Sequence, residues 1–234
     1  MAGCDAKRES ALGAVELLRE HAPVRVLGVG TGSTVARFIQ LLEGGLLGEL
    51  GVRMVVPSSL DTALRLAGLG VPVAHPAVAD SVDAYVDGAD EVAPDGGLLK
   101  GRGAALLGEK ILAGASNLNI IVVTEEKLVE RLGSRRPVPV EVVRDALGPA
   151  VRRLSSRWPG AAPRPAGGKD GPVVSDWGGV IVDVPTGPLG DPWEAEAWML
   201  RVPGVVETGL FLGLTDYVVV GSEGCGWRVE RYER

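Results

Sequence analysis

The chain has 234 residues, of which 46% are hydrophobic and 23% are charged, a composition typical of a globular protein long enough to bury a core. The formal net charge is -6 and the basic residues are dispersed, so the electrostatic footprint of a nucleic-acid-binding protein is absent. No apolar run reaches the roughly 20 residues that a membrane-spanning helix needs, and the N-terminus carries no signal-peptide pattern. We therefore expect a cytoplasmic protein with no nucleic-acid or membrane partner.

The cysteines and histidines give no sign of a metal or redox site. Cys4 and Cys225 stand at opposite ends of the chain and form no metal-ligand or redox motif. His21 and His75 are far apart in the sequence, and a histidine-rich metal centre needs its ligands clustered. We expect the two cysteines to have no role, and we expect no metal site.

The first half of the chain alternates between helical and strand periodicity. The pattern predicts helices at residues 7–20, 34–42, 60–69 and 104–113, and strands at residues 24–29, 52–56, 71–74, 84–86 and 119–123. Strands that alternate with helices and are apolar throughout indicate a parallel sheet covered on both faces. The predicted fold class is therefore α/β, with a doubly wound, mostly parallel, Rossmann-like sheet.

After Gly133 the pattern changes. A strand is predicted at residues 137–143, a helix at 144–158, a hairpin with strands at 173–176 and 180–184, and a helix at 192–200. With one more strand, this order is a compact α+β unit of the split, ferredoxin-like type. The apolar segment 217–221 is expected to return to the first sheet. We predict a Rossmann-like domain of residues 1–132 and 207–234, and a smaller α+β domain of residues 133–206.

A glycine-rich segment at residues 28–34 lies between a predicted strand and a predicted helix. Its glycines allow a tight turn and close approach to an anion, while the N–H groups of the helix start point toward it. Thr31, Ser33 and Thr34 add hydroxyl groups. The spacing is not that of a dinucleotide fingerprint, and no lysine follows as in a nucleotide-binding P-loop. On its glycines alone, the segment is slightly more typical of a capped tight turn.

Two carboxylates, Asp87 and Asp90, follow the predicted strand at residues 84–86. The carboxyl ends of parallel strands are where ligands bind in such sheets. Taken alone, an Asp-Gly pair is more often a turn in which the aspartate caps its own backbone.

A lysine, a glycine-rich turn and a helical carboxylate follow in order, as Lys100, residues 101–103 and Glu109. Lys100 could stabilise an oxyanion and Glu109 could move a proton. Lys127, just beyond a predicted strand, is a candidate phosphate ligand. Taken singly, each of these charged residues is more often an ordinary solvated side chain.

Together these segments resemble the ribose-5-phosphate isomerase A family, in its order and roughly its spacing. The matching stretches are residues 28–34, 86–91, 100–106, 109–110, 137–142 and 203–211. The resemblance covers nearly the whole chain, and the combination is far more specific than any single stretch. The joint occurrence therefore outweighs the ordinary interpretation of each segment.

The resemblance implies an enzyme that interconverts D-ribose 5-phosphate and D-ribulose 5-phosphate in the pentose phosphate pathway, without a metal or organic cofactor and as a homodimer or homotetramer. For substrate binding, the resemblance implies a phosphosugar-binding loop at Thr31, Gly32, Ser33 and Thr34, and paired aspartates at Asp87 and Asp90 around Gly88 and Ala89. For catalysis, it implies a catalytic lysine at Lys100 and a general base at Glu109. It also implies a glycine-rich turn at Gly101, Arg102 and Gly103, and a further substrate-binding lysine at Lys127. The sequence departs from the family pattern at Arg102, which replaces a common glycine. It departs again at Leu107-Gly108, where Thr-Arg is common, and at residues 176–179, Asp-Trp-Gly-Gly, in a hairpin that usually bears Asn.

Three other functions remain as alternatives. Another phosphosugar isomerase or a deaminase acting on an amino sugar phosphate would use a similar sheet. A non-catalytic phosphosugar sensor would need a DNA-binding domain, for which the stretch before Val24 is too short. A nicotinamide-dependent dehydrogenase ranks last because the dinucleotide fingerprint is missing.

Overall fold

The computed structural model describes residues 4–79, 81–168 and 170–233. Its strands are β1 (Val26–Val29), β2 (Met54–Pro57), β3 (Ala84–Asp87), β4 (Glu91–Val92), β5 (Leu98–Leu99), β6 (Asn119–Thr124), β7 (Val138–Val142), β8 (Ala162–Pro163), β9 (Val180–Val184), β10 (Val205–Thr208), β11 (Leu210–Phe211), β12 (Tyr217–Gly221) and β13 (Trp227–Arg231). Its α-helices are α1 (Ala6–Glu20), α2 (Ser33–Leu42), α3 (Leu46–Glu49), α4 (Leu60–Leu66), α5 (Leu106–Ala115), α6 (Leu147–Arg157) and α7 (Pro192–Leu200). Short 3₁₀ turns lie at Pro76–Val78, Glu125–Lys127 and Arg144–Ala146.

The chain forms two compact units. The first comprises the chain up to Ala89, Gly108–Lys127 and the chain from Gly213 onward. The second comprises Asp90–Leu107 and Leu128–Leu212. The predicted domain boundaries differ from these. Residues 90–107, 128–132 and 207–212 were predicted to belong to the first domain but lie in the second unit.

The first unit is built on a mostly parallel sheet with the strand order β13-β12-β6-β3-β1-β2. Every neighbouring pair is parallel except β12 and β13, which are antiparallel. Fully buried apolar side chains, among them Leu27, Val86 and Ile120, join the sheet to the helices. The doubly wound fold class is thereby confirmed. All the parallel strands end at the same edge, so the loops after β1, β2, β3 and β6 gather there.

The second unit contains a four-stranded antiparallel sheet of order β10-β7-β9-β8 and a three-stranded sheet of order β11-β5-β4. In chain order, β7, α6, β8, β9, α7 and β10 form the predicted ferredoxin-like arrangement. Its core is apolar, with Val140, Leu154, Val182 and Met199 fully buried. Asp191 caps the start of helix α7, since its carboxylate accepts a hydrogen bond from Glu194 N at 2.9 Å.

Two predicted strands are reduced to single bridges. Residues 71–74 pair with β2 only at Val73, because Pro72 has no N–H to donate to a ladder. Residues 173–176 pair with β9 only at Val174. The predicted hairpin turn is nevertheless present, since Ser175 N donates to Gly179 O at 2.8 Å.

The expectation that the cysteines have no role was wrong. Cys4 and Cys225 form a disulfide, with their Cα atoms 5.3 Å apart, a normal separation for this bond. The residues are distant in sequence, but helix α1 lies against the turn between β12 and β13, where Gly226 N donates to Glu9 Oε2 at 2.9 Å. The fold therefore brings the two ends of the chain together. Within the residues described above, no helix has the length and apolarity that crossing a membrane requires.

Candidate active site

In the first unit, the loop after β1 folds over the end of β3. Gly30 N donates to Val86 O at 2.9 Å, and a Cβ atom at Gly30 would overlap the Asp87 carboxylate. Only glycine therefore allows the loop to pass so close to this carboxyl group. This close approach explains the glycine at position 30 of the predicted glycine-rich segment.

The Asp87 carboxylate is fully buried and organises this loop. Its Oδ1 accepts hydrogen bonds from Thr31 N at 3.1 Å and Gly88 N at 2.7 Å, and its Oδ2 accepts one from the Tyr85 hydroxyl. Buried charges need such donors to offset lost hydration. Asp87 thus ties the loops after β1 and β3 to one carboxyl group.

The phenol of Tyr85 interacts electrostatically with the carboxylates of both Asp87 and Glu109. Burial, followed by the negative charges of Asp87 and Glu109, raises the pKa of the Tyr85 phenol well above its ordinary value. The phenol therefore stays protonated and acts as a donor. Glu109 lies on α5 and is only 4% exposed. The first unit thus brings two predicted acidic residues close to one buried phenol that the sequence analysis did not identify.

Thr31 belongs to a cluster of hydroxyl groups. Its Oγ1 lies 2.9 Å from Ser58 Oγ and 2.6 Å from Ser59 Oγ, and Thr62 Oγ1 donates to Gly30 O at 2.7 Å. Ser58, Ser59 and Thr62 were not predicted from the sequence as site residues. They follow β2, so the rule that ligands bind at the carboxyl ends of parallel strands, applied to this strand also, would have indicated them.

Helix α2 begins directly after this loop with its first N–H groups free of any side-chain cap. Gly32, at the N-cap, has a φ angle of 130°, which favours glycine. Ser33 is exposed and Thr34 half-buried. Lys127 follows β6, so it lies at the same edge of the sheet, half-exposed and 3.8 Å from Glu126 Oε1. A helix start with hydroxyl groups is suited to bind an anion.

In the second unit, Lys100 is almost completely buried, with 3% of its surface exposed. The backbone N–H of Lys100 donates to Gly209 O at 2.8 Å, and a Cβ atom at Gly209 would overlap the backbone oxygen of Lys100. The Nζ atom lies 5.4 Å from the centre of the Phe211 ring, within the range of a cation–π interaction. Phe211 therefore supports a cation in an environment with little water.

The glycine-rich turn follows Lys100 directly. Gly101 has a φ angle of 105°, and the turn closes with a hydrogen bond from Ala104 N to Gly101 O at 3.1 Å. Arg102 is not among the residues with a positive φ angle, so the side chain that replaces the family's glycine causes no backbone strain. Asp90 accepts a hydrogen bond from Arg102 N at 3.0 Å, and its Oδ1 lies 3.5 Å from Arg102 Nε.

Glu91, the residue after Asp90, has a structural role. It is fully buried, and its carboxylate accepts hydrogen bonds from Gly133 N at 2.7 Å, Arg135 N at 2.7 Å and Arg136 N at 2.8 Å. The last acidic residue of the aspartate segment therefore holds the loop before β7.

The two units place the predicted residues as follows. The first holds Thr31, Gly32, Ser33, Thr34, Asp87, Gly88, Ala89, Glu109 and Lys127, and the second holds Asp90, Lys100, Gly101, Arg102 and Gly103. Within the described residues, no three His, Cys, Asp or Glu side chains are arranged to hold a metal ion. Chemically, the first set offers anion-binding N–H groups and a buried carboxyl group. The second offers a buried cation beside a glycine-rich turn.

Comparisons with known proteins identify the family. The model of the family described as Ribose 5-phosphate isomerase A (phosphoriboisomerase A) matches residues 54–224. Ribose-5-phosphate isomerase A of Aeropyrum pernix is 53% identical over 232 residues, which cover 98% of this chain and 96% of that protein. The Pyrococcus abyssi protein of the same name is 41% identical over 214 residues, covering 91% and 93%.

Solved structures agree with the sequence relatives. Ribose 5-phosphate isomerase A from Methanocaldococcus jannaschii matches with a TM-score of 0.88 at 35% identity, covering 97% of this chain and 98% of that one. A D-ribose-5-phosphate isomerase in complex with phospho-erythronic acid matches with a TM-score of 0.91 at 37% identity, covering 99% and 100%. Because the family model spans most of the chain and these relatives cover nearly all of it, the chain belongs to the ribose 5-phosphate isomerase A family.

Proposed function

We propose that this chain interconverts D-ribose 5-phosphate and D-ribulose 5-phosphate through an enediolate. The observation that carries the proposal is the burial of both Lys100 and Glu109, which are 3% and 4% exposed. Lysine and glutamate are rarely so deeply buried in proteins, and buried ionisable groups cluster at functional sites. The chain is 53% identical to a named isomerase, and the family resemblance assigns the roles of catalytic lysine and general base to these two residues.

Glu109 is the proposed general base. It removes the proton from C2 of the open-chain aldose, and the electron pair forms the C1–C2 double bond while O1 takes the negative charge. A proton then moves from the O2 hydroxyl to O1, the same carboxyl group returns the abstracted proton to C1, and O2 becomes the carbonyl oxygen of the ketose. A positioned base of this kind contributes roughly a hundredfold to ten-thousandfold to the rate.

Lys100 and the turn at residues 101–103 are proposed to stabilise the enediolate oxygen, the turn through N–H groups other than that of Arg102, which donates to Asp90. A cation and N–H donors held in place before the reaction lower the barrier without reorganising as the charge develops. The aromatic support of Phe211 at 5.4 Å suits this role, since it limits the movement of the ammonium group.

The remaining predicted residues are proposed to bind the substrate. The start of α2 at Ser33 and Thr34, with Lys127, takes the phosphate group. Asp87 and Asp90 hold the sugar hydroxyls, and the carboxylate of Asp90, whose side chain is 16% exposed, is the more accessible of the two. A related isomerase binds phospho-erythronic acid, which, like ribose 5-phosphate, is a phosphorylated sugar derivative.

We further propose that the reaction needs no metal or organic cofactor and that it serves the non-oxidative branch of the pentose phosphate pathway in the cytoplasm. The family resemblance also favours a homodimer or homotetramer, which light scattering on the purified protein measures directly.

The test is conversion of ribose 5-phosphate to ribulose 5-phosphate by purified protein treated with EDTA. Turnover supports the proposed reaction and its independence of metal. Release of ammonia from glucosamine 6-phosphate in place of this turnover would identify a deaminase. Binding of the sugar phosphate with no turnover of either substrate would identify a sensor.

A further inference from the structure

Arg164, which lies 62 residues after Arg102 in the sequence, contacts the glycine-rich turn. Its Nη1 atom donates hydrogen bonds to the carbonyl oxygens of Gly101 and Arg102, each at 2.9 Å. These are two successive carbonyl groups of the turn. One guanidinium group therefore fixes two successive peptide planes.

Asp183 holds Arg164 in this position. Arg164 Nε donates to Asp183 Oδ2 at 2.9 Å, and Nη2 donates to Oδ1 at 2.6 Å. A bidentate pair of this geometry is strong and orients the planar guanidinium group. The two side chains are only 17% and 27% exposed, so solvent screens the pair less than it screens a surface ion pair.

The backbone around Arg164 is fixed as well. Arg164 directly follows β8, its N–H donates to Ile181 O at 2.8 Å, and its carbonyl oxygen accepts from Val173 N at 2.8 Å. Asp183 lies within β9, beside β7 and β8. The guanidinium group is thus attached to a rigid sheet rather than to a loose loop.

These contacts determine where the N–H groups of the turn point. In the peptide between Gly101 and Arg102, Arg164 binds the carbonyl oxygen and Asp90 accepts from the N–H group. In the next peptide, Arg164 binds the carbonyl oxygen of Arg102. In a trans peptide the N–H group points away from the carbonyl oxygen. The N–H group of Gly103 therefore points away from Arg164.

We propose that Arg164 and Asp183 form a positioning pair that aims the Gly103 N–H group at the substrate's developing oxyanion. The inference rests on the proposed function, since it assigns to that reaction two residues outside the segments that carry the family resemblance. Arg164 acts through the turn and does not itself touch the substrate. A donor displaced by about 1 Å costs up to roughly a hundredfold in rate.

The experiment compares the steady-state kinetics of Arg164→Lys, Asp183→Asn and the double variant with the parent. Lysine keeps the positive charge but cannot bind Asp183 in two places and two carbonyl groups at once. We expect kcat and kcat/KM to fall together by roughly tenfold to a hundredfold in Arg164→Lys, because the lost interaction is made in the transition state. The double variant should lose little more than Arg164→Lys, because Asp183 acts only through Arg164.

The matched control is Arg157→Lys. Arg157 forms a similar bidentate pair with Glu194 in the same unit, at 2.8 and 2.5 Å, but no described bond joins this pair to the turn. We expect parent-like kinetics for this control. If Arg164→Lys does not fold, Asp183→Asn carries the same test.

Three results would overturn the inference: parent-like kcat in both single variants, a rise in KM alone, or independent losses that add in the double variant. A parent enzyme without turnover would instead contradict the proposed function. The two failures are therefore distinguishable.

Discussion

Removing the Cys4–Cys225 disulfide tests how the ends of the chain are held. The bond closes a loop with a sequence separation of 221 residues. Cross-linking restricts the unfolded chain, and for a loop of this length the chain-entropy relation gives about 5 kcal/mol of stabilisation at 25 °C. At roughly 2–4 °C per kcal/mol for a chain of this size, the Cys4→Ser, Cys225→Ser double variant should melt about 10–20 °C below the oxidised parent.

Thermal unfolding followed by circular dichroism measures this shift. A reducing agent should lower the melting temperature of the parent by the same amount and leave the double variant unchanged. Mass spectrometry of the parent establishes that the bond has formed. A formed bond whose removal shifts the melting temperature by less than about 2 °C would refute the entropic reasoning, and two free thiols would contradict the bond itself.

Two further predictions concern buried ionisable groups. Tyr85→Phe removes the donor to Asp87; we expect a loss of about 1.5–3 kcal/mol in the urea-unfolding free energy, and unchanged stability would mean that the phenol does not support the carboxylate. Burial raises the pKa of Glu141 despite the hydrogen bonds that its carboxyl group accepts from Ser175 and Gly179. The native state therefore binds more protons than the unfolded state. As a result, the free energy of unfolding falls as the pH rises from about 4.3, the pKa of an unfolded glutamate, through the folded pKa. Glu141→Gln should therefore gain stability relative to the parent between pH 4 and 8, and a constant difference across that range would contradict this.

Much of the first unit could be predicted because its elements are long and strongly periodic. The apolar strands β1, β3 and β6 end within one residue of their predicted ends, and α1 begins within one residue of its predicted start. The carboxyl-end rule then placed Asp87 at one edge of the sheet, and the glycine-rich segment placed Thr31 at a strand-to-helix turn. The family resemblance added chemical roles that the individual residues could not supply.

Other features had no local signal in the sequence. The strands β4, β5 and β11 have two residues each, which is too short for any periodicity. The exposed strand β13 is mostly polar, so it shows no apolar pattern. The disulfide joins residues 221 positions apart, and Arg164 lies in a proline-rich segment. These contacts depend on the tertiary fold.

The same limit applies to the site residues that were missed. From the sequence, Tyr85 is predicted only as an apolar core residue of β3. Its second role, as a hydrogen-bond donor to Asp87, is evident only from the structure. Phe211 reads as a strand residue, and its position beside Lys100 depends on the pairing of β11 with β5. Pairing between strands more than a hundred residues apart cannot be deduced from either strand alone.

The most direct test of the account is the turnover of ribose 5-phosphate by Glu109→Gln beside the parent and a control variant, Glu20→Gln. Glu20 is an exposed residue at the end of α1, so its substitution should leave turnover unchanged. Glutamine cannot accept the C2 proton, and we expect kcat to fall by roughly a hundredfold to ten-thousandfold in a protein that still folds. Near-parental turnover by folded Glu109→Gln would contradict the assignment of Glu109 as the base.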